Sequence, residues 1–164
     1  MSNRDSHRAD FRADCVLRRA TIADIAGMHR VRTSVRENAL VSVVIADADY
    51  REHIETLGRG WVVAVGGEIV GFAIANARDG NVWALFVHPD HERRGYGRQL
   101  HDAMVAWMGE RGVPKLWLTT AAGTRAERFY EAAGWARAGL AGGELRFELR
   151  NPRASSAARD LGIG

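Results

Sequence analysis

The sequence predicts an α/β (α+β) protein in which a mixed sheet carries helices on its faces. Two observations support this prediction: a hairpin signal joins two apolar runs near the middle of the chain, and strand and helix patterns alternate after it. The 164 residues are the length of one domain and can bury a core. No apolar run approaches the length of a membrane helix, so we expect no membrane span.

The first half of the chain predicts a strand, two helices and a hairpin. The run VLRR at 16–19 predicts a short strand, and Thr21 with Asp24 three residues later predicts the start of a helix. Asp49 predicts the start of a second helix, since apolar residues follow it at helical spacing. The runs WVVAV and EIVGFAIANA predict two strands, and the Gly66–Gly67 pair between them is typical of a tight hairpin.

The second half alternates strands and helices. The apolar run NVWALFV at 81–87 predicts a strand that Pro89 ends. A helix is predicted from Gly95 to about Glu110, with Gly112 and Pro114 after it. The run KLWLTT then predicts a strand, TRAERFYEAA a short helix and GELRFELR a last strand. This order of elements predicts the mixed sheet.

Composition limits the organisation and the partners of the chain. The polar or small residues at 1–14 and 151–164 predict disordered tails around a single domain at 15–150. The amino-terminal stretch lacks the apolar run of a signal peptide, and Cys15 is the only cysteine, so we expect a cytoplasmic protein. The formal charge is only +3 and most arginines are scattered. Nucleic acid is therefore an unlikely partner.

The stretch HERRGYGRQL at 91–100 predicts an anion-binding turn between a strand and a helix. Gly95 and Gly97 remove side chains where a ligand would touch the backbone, and the start of a helix offers unpaired N–H donors. Three arginines add positive charge nearby: Arg93, Arg94 and Arg98. No Walker lysine follows the glycines, and Leu100 stands where a dinucleotide fingerprint needs a third glycine. Both common nucleotide motifs are therefore excluded.

Two motifs resemble those of the GNAT superfamily of N-acetyltransferases. LFVHPDHERRGYGRQL resembles its acyl-CoA-binding motif and TRAERFYEAAGW its second motif, and the order of elements agrees from about Val16 to Leu149. The resemblance implies a mixed, mostly antiparallel sheet, splayed so that acetyl-CoA lies in a cleft between two strands. The residues that it assigns to acetyl-CoA are Leu85, Phe86, Val87, Arg93, Arg94, Gly95, Tyr96, Gly97, Arg98, Phe129 and Tyr130. Two positions depart from the family pattern: Glu92 stands where Gln or Arg is usual, and Gly123 where Asn is often found.

The resemblance also implies that Tyr130 is the proton donor to sulfur. The residues alone would favour a core tyrosine beside Phe129. The base is not assigned, since Glu37 between the first two helices, His88 at a strand end and ordered water are all candidates. His88 and His91 are three residues apart, but Pro89 prevents a helix there, so we predict no metal site.

The resemblance thus implies an N-acetyltransferase that moves an acetyl group from acetyl-CoA to a primary amine by direct attack on the thioester. The acceptor would be a small molecule or a peptide amine, and its identity is not readable. An inactive acyl-CoA-binding regulatory module is the alternative, and a nucleic-acid-binding protein comes after it. A homodimer is left open.

Overall fold

The computed structural model describes residues 14–35 and 45–151 and Ala154. The predicted tails fall almost wholly outside these residues, as does Glu37. The elements in chain order are β1 (Cys15–Arg19), α1 (Ile25–Ser34), α2 (Asp47–Arg51), β2 (Gly58–Val65), β3 (Glu68–Asn76), β4 (Val82–Val87), α3 (Tyr96–Glu110), β5 (Lys115–Thr120), α4 (Arg125–Ala132), β6 (Ala136–Ala141) and β7 (Glu144–Arg150). A 3-10 turn at Ile22–Asp24 precedes α1, and a π-helical segment at Glu52–Leu57 follows α2.

The strands form two antiparallel sheets, in the orders β1-β2-β3-β4 and β5-β7-β6. They meet at one parallel bridge between Asn81 and Trp117, where the backbone N–H of Trp117 donates to the carbonyl of Gly80 at 3.0 Å. Within the described ranges no further ladder pair joins β4 to β5. The two strands therefore separate beyond the bridge, which confirms the predicted splayed, mostly antiparallel sheet.

Helices cover both faces of the four-stranded sheet, because β2 and β3 alternate between two hydrophobic cores. Val62, Phe72 and Ile74 pack with residues of α1 and α2. Val63 and Ala73 pack on the other face with α3, α4 and the second sheet. Such period-2 alternation is what a strand buried on both faces requires. The sheet thus divides the interior into two hydrophobic cores.

Local signals explain where several elements begin. Gly66 and Gly67 have φ of 57° and 80°, which suits glycine and confirms the hairpin. The backbone N–H of Thr21 donates to Oδ2 of Asp24 at 2.8 Å, which confirms the predicted helix start at Thr21. The prediction for Asp49 was wrong, since α2 begins at Asp47 and the Asp49 carboxylate accepts the N–H of Ala46 at 2.8 Å. The Asp49 carboxylate thus accepts a backbone N–H at the start of the helix from inside the first turn.

The sequence patterns did not predict β6. Every residue of this strand is exposed, and 75% of the surface of Leu140 is accessible to solvent. It therefore lacks the apolar alternation by which a strand is recognised. Its pairing with β7 also shifts register between Arg137 and Leu140, and Gly139 within that interval has φ of 102°.

A buried histidine links α3 to the segment after α4. Nε1 of Trp135 donates to Nε2 of His101 at 2.9 Å, so Nδ1 must carry the proton of the neutral ring, and this atom lies 2.9 Å from Oδ1 of Asp102. Burial lowers the pKa of His101, although the Asp102 carboxylate acts in the opposite direction. Protonation would place two N–H donors face to face at Trp135.

We expect the stability of the protein to fall as the pH is lowered from 7 to 5. Below about pH 6.5 His101 takes up a proton in the unfolded state but stays neutral in the folded state. The free energy of unfolding should therefore fall by up to about 1.4 kcal/mol per pH unit. Urea unfolding across this range measures the effect. His101→Gln keeps an acceptor for Trp135 without the titration, so an equally steep pH dependence in this variant would contradict the assignment.

Candidate active site

A cavity of about 960 Å³ opens between β4 and β5 where the strands have separated. Its size is that of pockets that hold extended small molecules. One wall is the end of β4, at 85–87, and the facing wall is the end of β5 with the residue that follows it, at 119–121. The amino-terminal end of α3 and the inner face of α4 complete it. The splay of the sheet therefore creates the cavity.

The turn before α3 brings backbone donors to this cavity. Gly95 caps the helix with φ of 82°, a left-handed conformation that favours glycine, and Arg93 shares it with φ of 63°. The first hydrogen bond into the helix runs from the N–H of Gln99 to the carbonyl of Gly95 at 3.1 Å. The N–H groups of 96–98 therefore lack helical acceptors, and all three residues line the cavity. This is a site suited to an anion.

The fold itself does not require glycine at position 97. A Cβ atom there would lie 3.6 Å from Cε2 of Phe129 and 3.7 Å from Cγ2 of Val87, which are ordinary contacts. Since Gly97 lines the cavity, the missing side chain leaves room there. A ligand that approaches the backbone closely is the physical reason for such a gap.

Arginines outnumber acids on the cavity wall. The lining residues include four arginines and two glutamates, namely Arg93, Arg98, Arg125, Arg128, Glu92 and Glu144. Glu92 forms an ion pair with Arg125 and so joins the turn to α4. The glutamate at this position, where the family usually has Gln or Arg, therefore has a structural role. Arg94 is not among the lining residues, and its Nη1 lies 3.5 Å from Nδ1 of His91.

Tyr130 lines the cavity and is almost fully buried. Thr124 starts α4 by accepting the N–H of Glu127 at 3.3 Å, and one face of the helix then carries Tyr130 into the core. The ring packs edge-on against Phe129 and Trp135, at centroid distances of 5.2 and 5.3 Å. Its hydroxyl makes no hydrogen bond to any described group. Burial raises the pKa of Tyr130, so the hydroxyl keeps its proton at neutral pH.

Of the two candidate bases, His88 lies among the described residues and Glu37 does not. Nδ1 of His88 accepts the N–H of Asp90 at 3.1 Å and caps the turn at Pro89–His91. His88 is not among the residues that line the cavity. Glu37 lies outside the described residues. The assignment of a base to either residue stays a prediction.

The sequence patterns missed one acidic residue of the site. Glu144 lines the cavity and forms no ion pair with any described residue. It stands at the start of β7, directly after the turn from the unpredicted strand β6, so no spacing signal marked it. In the ranges that the structure describes, no three His, Cys, Asp or Glu side chains group as metal ligands, and no helix there is long and apolar enough to cross a membrane.

The acetyltransferase (GNAT) family model matches residues 28–135, which is more than half of the chain. No curated protein matches the sequence significantly. Three solved structures illustrate the similarity of fold. An acetyltransferase of the GNAT family from Staphylococcus aureus has 14% identity and a TM-score of 0.72, with 83% of this chain and 98% of that chain covered. The PaiA N-acetyltransferase from Thermoplasma acidophilum, in complex with coenzyme A, has 13% identity and a TM-score of 0.71 over the same shares, 83% and 98%. The ribosomal-protein-S18-alanine N-acetyltransferase from Escherichia coli has 18% identity and a TM-score of 0.69, with 84% and 94% covered.

Proposed function

Because the chain belongs to the acetyltransferase (GNAT) family, we propose that it transfers an acetyl group from acetyl-CoA to a primary amine by direct attack on the thioester. The observation that carries this proposal is the cavity of about 960 Å³, which is lined both by a helix amino terminus and by the buried Tyr130. The coenzyme A complex of the Thermoplasma acidophilum neighbour supports the donor. A cytoplasmic location and a homodimer remain predictions.

The residues present fit acetyl-CoA. We assign its phosphates to the N–H groups of Tyr96, Gly97 and Arg98, with charge from Arg93, Arg94 and Arg98. Its pantetheine arm would follow the edge of β4 at 85–87, where backbone groups face β5 without ladder partners. An extended amide-bearing arm can use such an edge as a further strand would. Phe129 would supply apolar contact at the cavity wall.

Acetyl-CoA supplies a thioester whose carbonyl carbon the amine nitrogen attacks, with loss of the C–S bond. Tyr130 would give its hydroxyl proton to the departing sulfur. Its burial keeps that proton in place at neutral pH. Glu37 or His88, directly or through water, would take the proton from the amine, and Glu144 is an acidic group on the cavity wall that could attract a cationic amine.

A thiol-release assay across a panel of primary amines tests the proposal. Acetyl-CoA should bind in calorimetry, and at least one amine should release free thiol. Tight binding without thiol release from any amine would instead favour the inactive acyl-CoA-binding module. Strong, steeply salt-dependent DNA binding would favour the nucleic-acid alternative.

Replacing Glu37 with Gln is expected to lower kcat/KM for the amine by roughly 10²-fold. The carboxylate would no longer attract the amine or accept its proton, so the pH dependence of kcat/KM should change as well. Acetyl-CoA binding should stay intact. Glu144→Gln is the matched variant, since it removes a carboxylate that lines the cavity. If Glu37→Gln lowers only the melting temperature, Glu37 is structural and the base lies elsewhere.

A further inference from the structure

The guanidinium of Arg32 lies beside two aromatic rings, one of which, that of Phe86, belongs to a residue that lines the cavity. Arg32 belongs to the last turn of α1, and its Cζ atom lies 5.1 Å from the ring centroid of Trp83 and 5.2 Å from that of Phe86. These contacts hold the group by cation–π attraction. Arginine stays protonated in proteins, so the group presents a permanent positive charge.

This charge has unfilled hydrogen-bonding capacity. Nη1 of Arg32 is buried and has no hydrogen-bond partner, and no carboxylate of the described residues forms an ion pair with the guanidinium. A buried donor without an acceptor is unfavourable, and more so on a charged group. An anion that reached the guanidinium would remove this penalty.

The groups around Arg32 do not neutralise it. Trp83 stacks on His53, with centroids 4.1 Å apart, and Tyr50 packs edge-on against Trp83 at 5.3 Å. The hydroxyl of Tyr50 lies 3.2 Å from Nδ1 of His29. Burial raises the pKa of Tyr50 and the nearby Arg32 guanidinium acts in the opposite direction, but burial has the larger effect, so Tyr50 is a neutral phenol beside this charge. Asp47 is the acid that affects this tyrosine, and it forms no ion pair with Arg32.

Arg32 contacts a residue that lines the cavity in which transfer would take place. Phe86, which touches the guanidinium, lines the cavity, and so does Val35, three residues after Arg32 on the chain. Arg32 is itself partly exposed. Glu144 lines the same cavity. A positive group in contact with its lining and a negative group on its wall suit a ligand that carries both an amine and a carboxylate.

We propose that Arg32 binds the carboxylate of the acceptor, so that the acceptor is a free amino acid. This inference rests on the proposed acetyl transfer, because it concerns the amine that receives the group. The guanidinium offers paired N–H donors that match the two oxygens of a carboxylate. Trp83 and Phe86 contact the guanidinium and restrict its movement. No proton moves at Arg32, and the transfer step at the amine is unchanged.

The test compares the proteinogenic amino acids with their carboxamides, which keep the shape and the amine but lose the negative charge. At saturating acetyl-CoA, kcat/KM of the wild type should be roughly 10²-fold higher for the best amino acid than for its carboxamide, chiefly through KM. Arg32→Met keeps apolar contact with the rings and removes the charge. In this variant the ratio should fall close to one, with turnover of the carboxamide falling far less than that of the amino acid.

Arg32→Lys provides a second variant, which keeps the charge without the paired donors and should give an intermediate ratio. A wild-type ratio close to one, a ratio that survives in Arg32→Met, or thiol release from neither class would overturn the inference. Calorimetry with acetyl-CoA and thiol release from amines without a carboxylate test the proposed transfer separately. If those succeed while the ratio is flat, only the role of Arg32 fails.

Discussion

Tyr130→Phe is expected to lower kcat by roughly 10²-fold or more. The hydroxyl is the proposed proton donor to the leaving sulfur, and without it the thiolate would have to leave unprotonated or find water. The ring keeps its contacts with Phe129, Trp135 and Phe147. Because the hydroxyl hydrogen-bonds no described group, its removal should hardly change stability. Steady-state kinetics under conditions where chemistry limits turnover measure the effect.

Two controls separate catalysis from structure in this variant. Acetyl-CoA affinity by calorimetry and the melting temperature should both match the wild type within a small margin. An unchanged kcat with intact folding would show that Tyr130 is a packing residue. A loss of kcat that is fully explained by a large loss of folded protein would also show that Tyr130 is a packing residue.

Gly97→Val should weaken acetyl-CoA binding by roughly 10²-fold, about 2.8 kcal/mol. The added side chain would occupy the space that the lining of the cavity leaves at this position and would keep a phosphate away from the N–H groups of α3. Calorimetry with acetyl-CoA gives the dissociation constant directly. Affinity equal to that of the wild type would exclude the turn as the phosphate site.

Neighbouring substitutions make this result interpretable. Gly97→Ala places one carbon at ordinary contact distance from Phe129 and Val87, so the fold should accept it and the loss of affinity should be smaller. Gly95→Ala instead forces a side chain into the left-handed conformation at φ of 82°, which strains the turn itself. Stability should fall in the second variant even without a ligand. The contrast separates a residue needed for binding from one needed for folding.

Local signals were sufficient to predict most of the fold. The Gly66–Gly67 hairpin, the strand that ends before Pro89 and the helix after Gly95 all depend on short-range chemistry, and each appears where its signal stands. The turn at 91–100 was also visible, because glycine, arginine and a helix start are adjacent along the chain. Its partner in the cavity, Tyr130, came only from the family resemblance, since a buried tyrosine on a helix has the same local pattern as a core residue.

Other features depend on contacts between distant residues, which a single sequence does not reveal. Strand β6 is exposed along its length and is held by pairing with β7 rather than by its own apolar pattern. The Glu92–Arg125 pair joins residues that only the folding of α4 against the turn brings together. No local signal distinguishes Arg32, because Trp83 and Phe86 reach it from β4.

The division of the interior by β3 has an evolutionary consequence. Its alternate residues enter two separate cores, with Tyr130 packed in one and Phe86 in the other. Substitutions in groups that share no contacts change the folding free energy nearly additively. If Arg32 binds the acceptor as proposed, mutations in the core beside it can therefore accumulate under selection for a new amine with little effect on the core that holds Tyr130. Under the proposed function, a gene duplicate could diversify its acceptor in small steps while the core around Tyr130 keeps its packing.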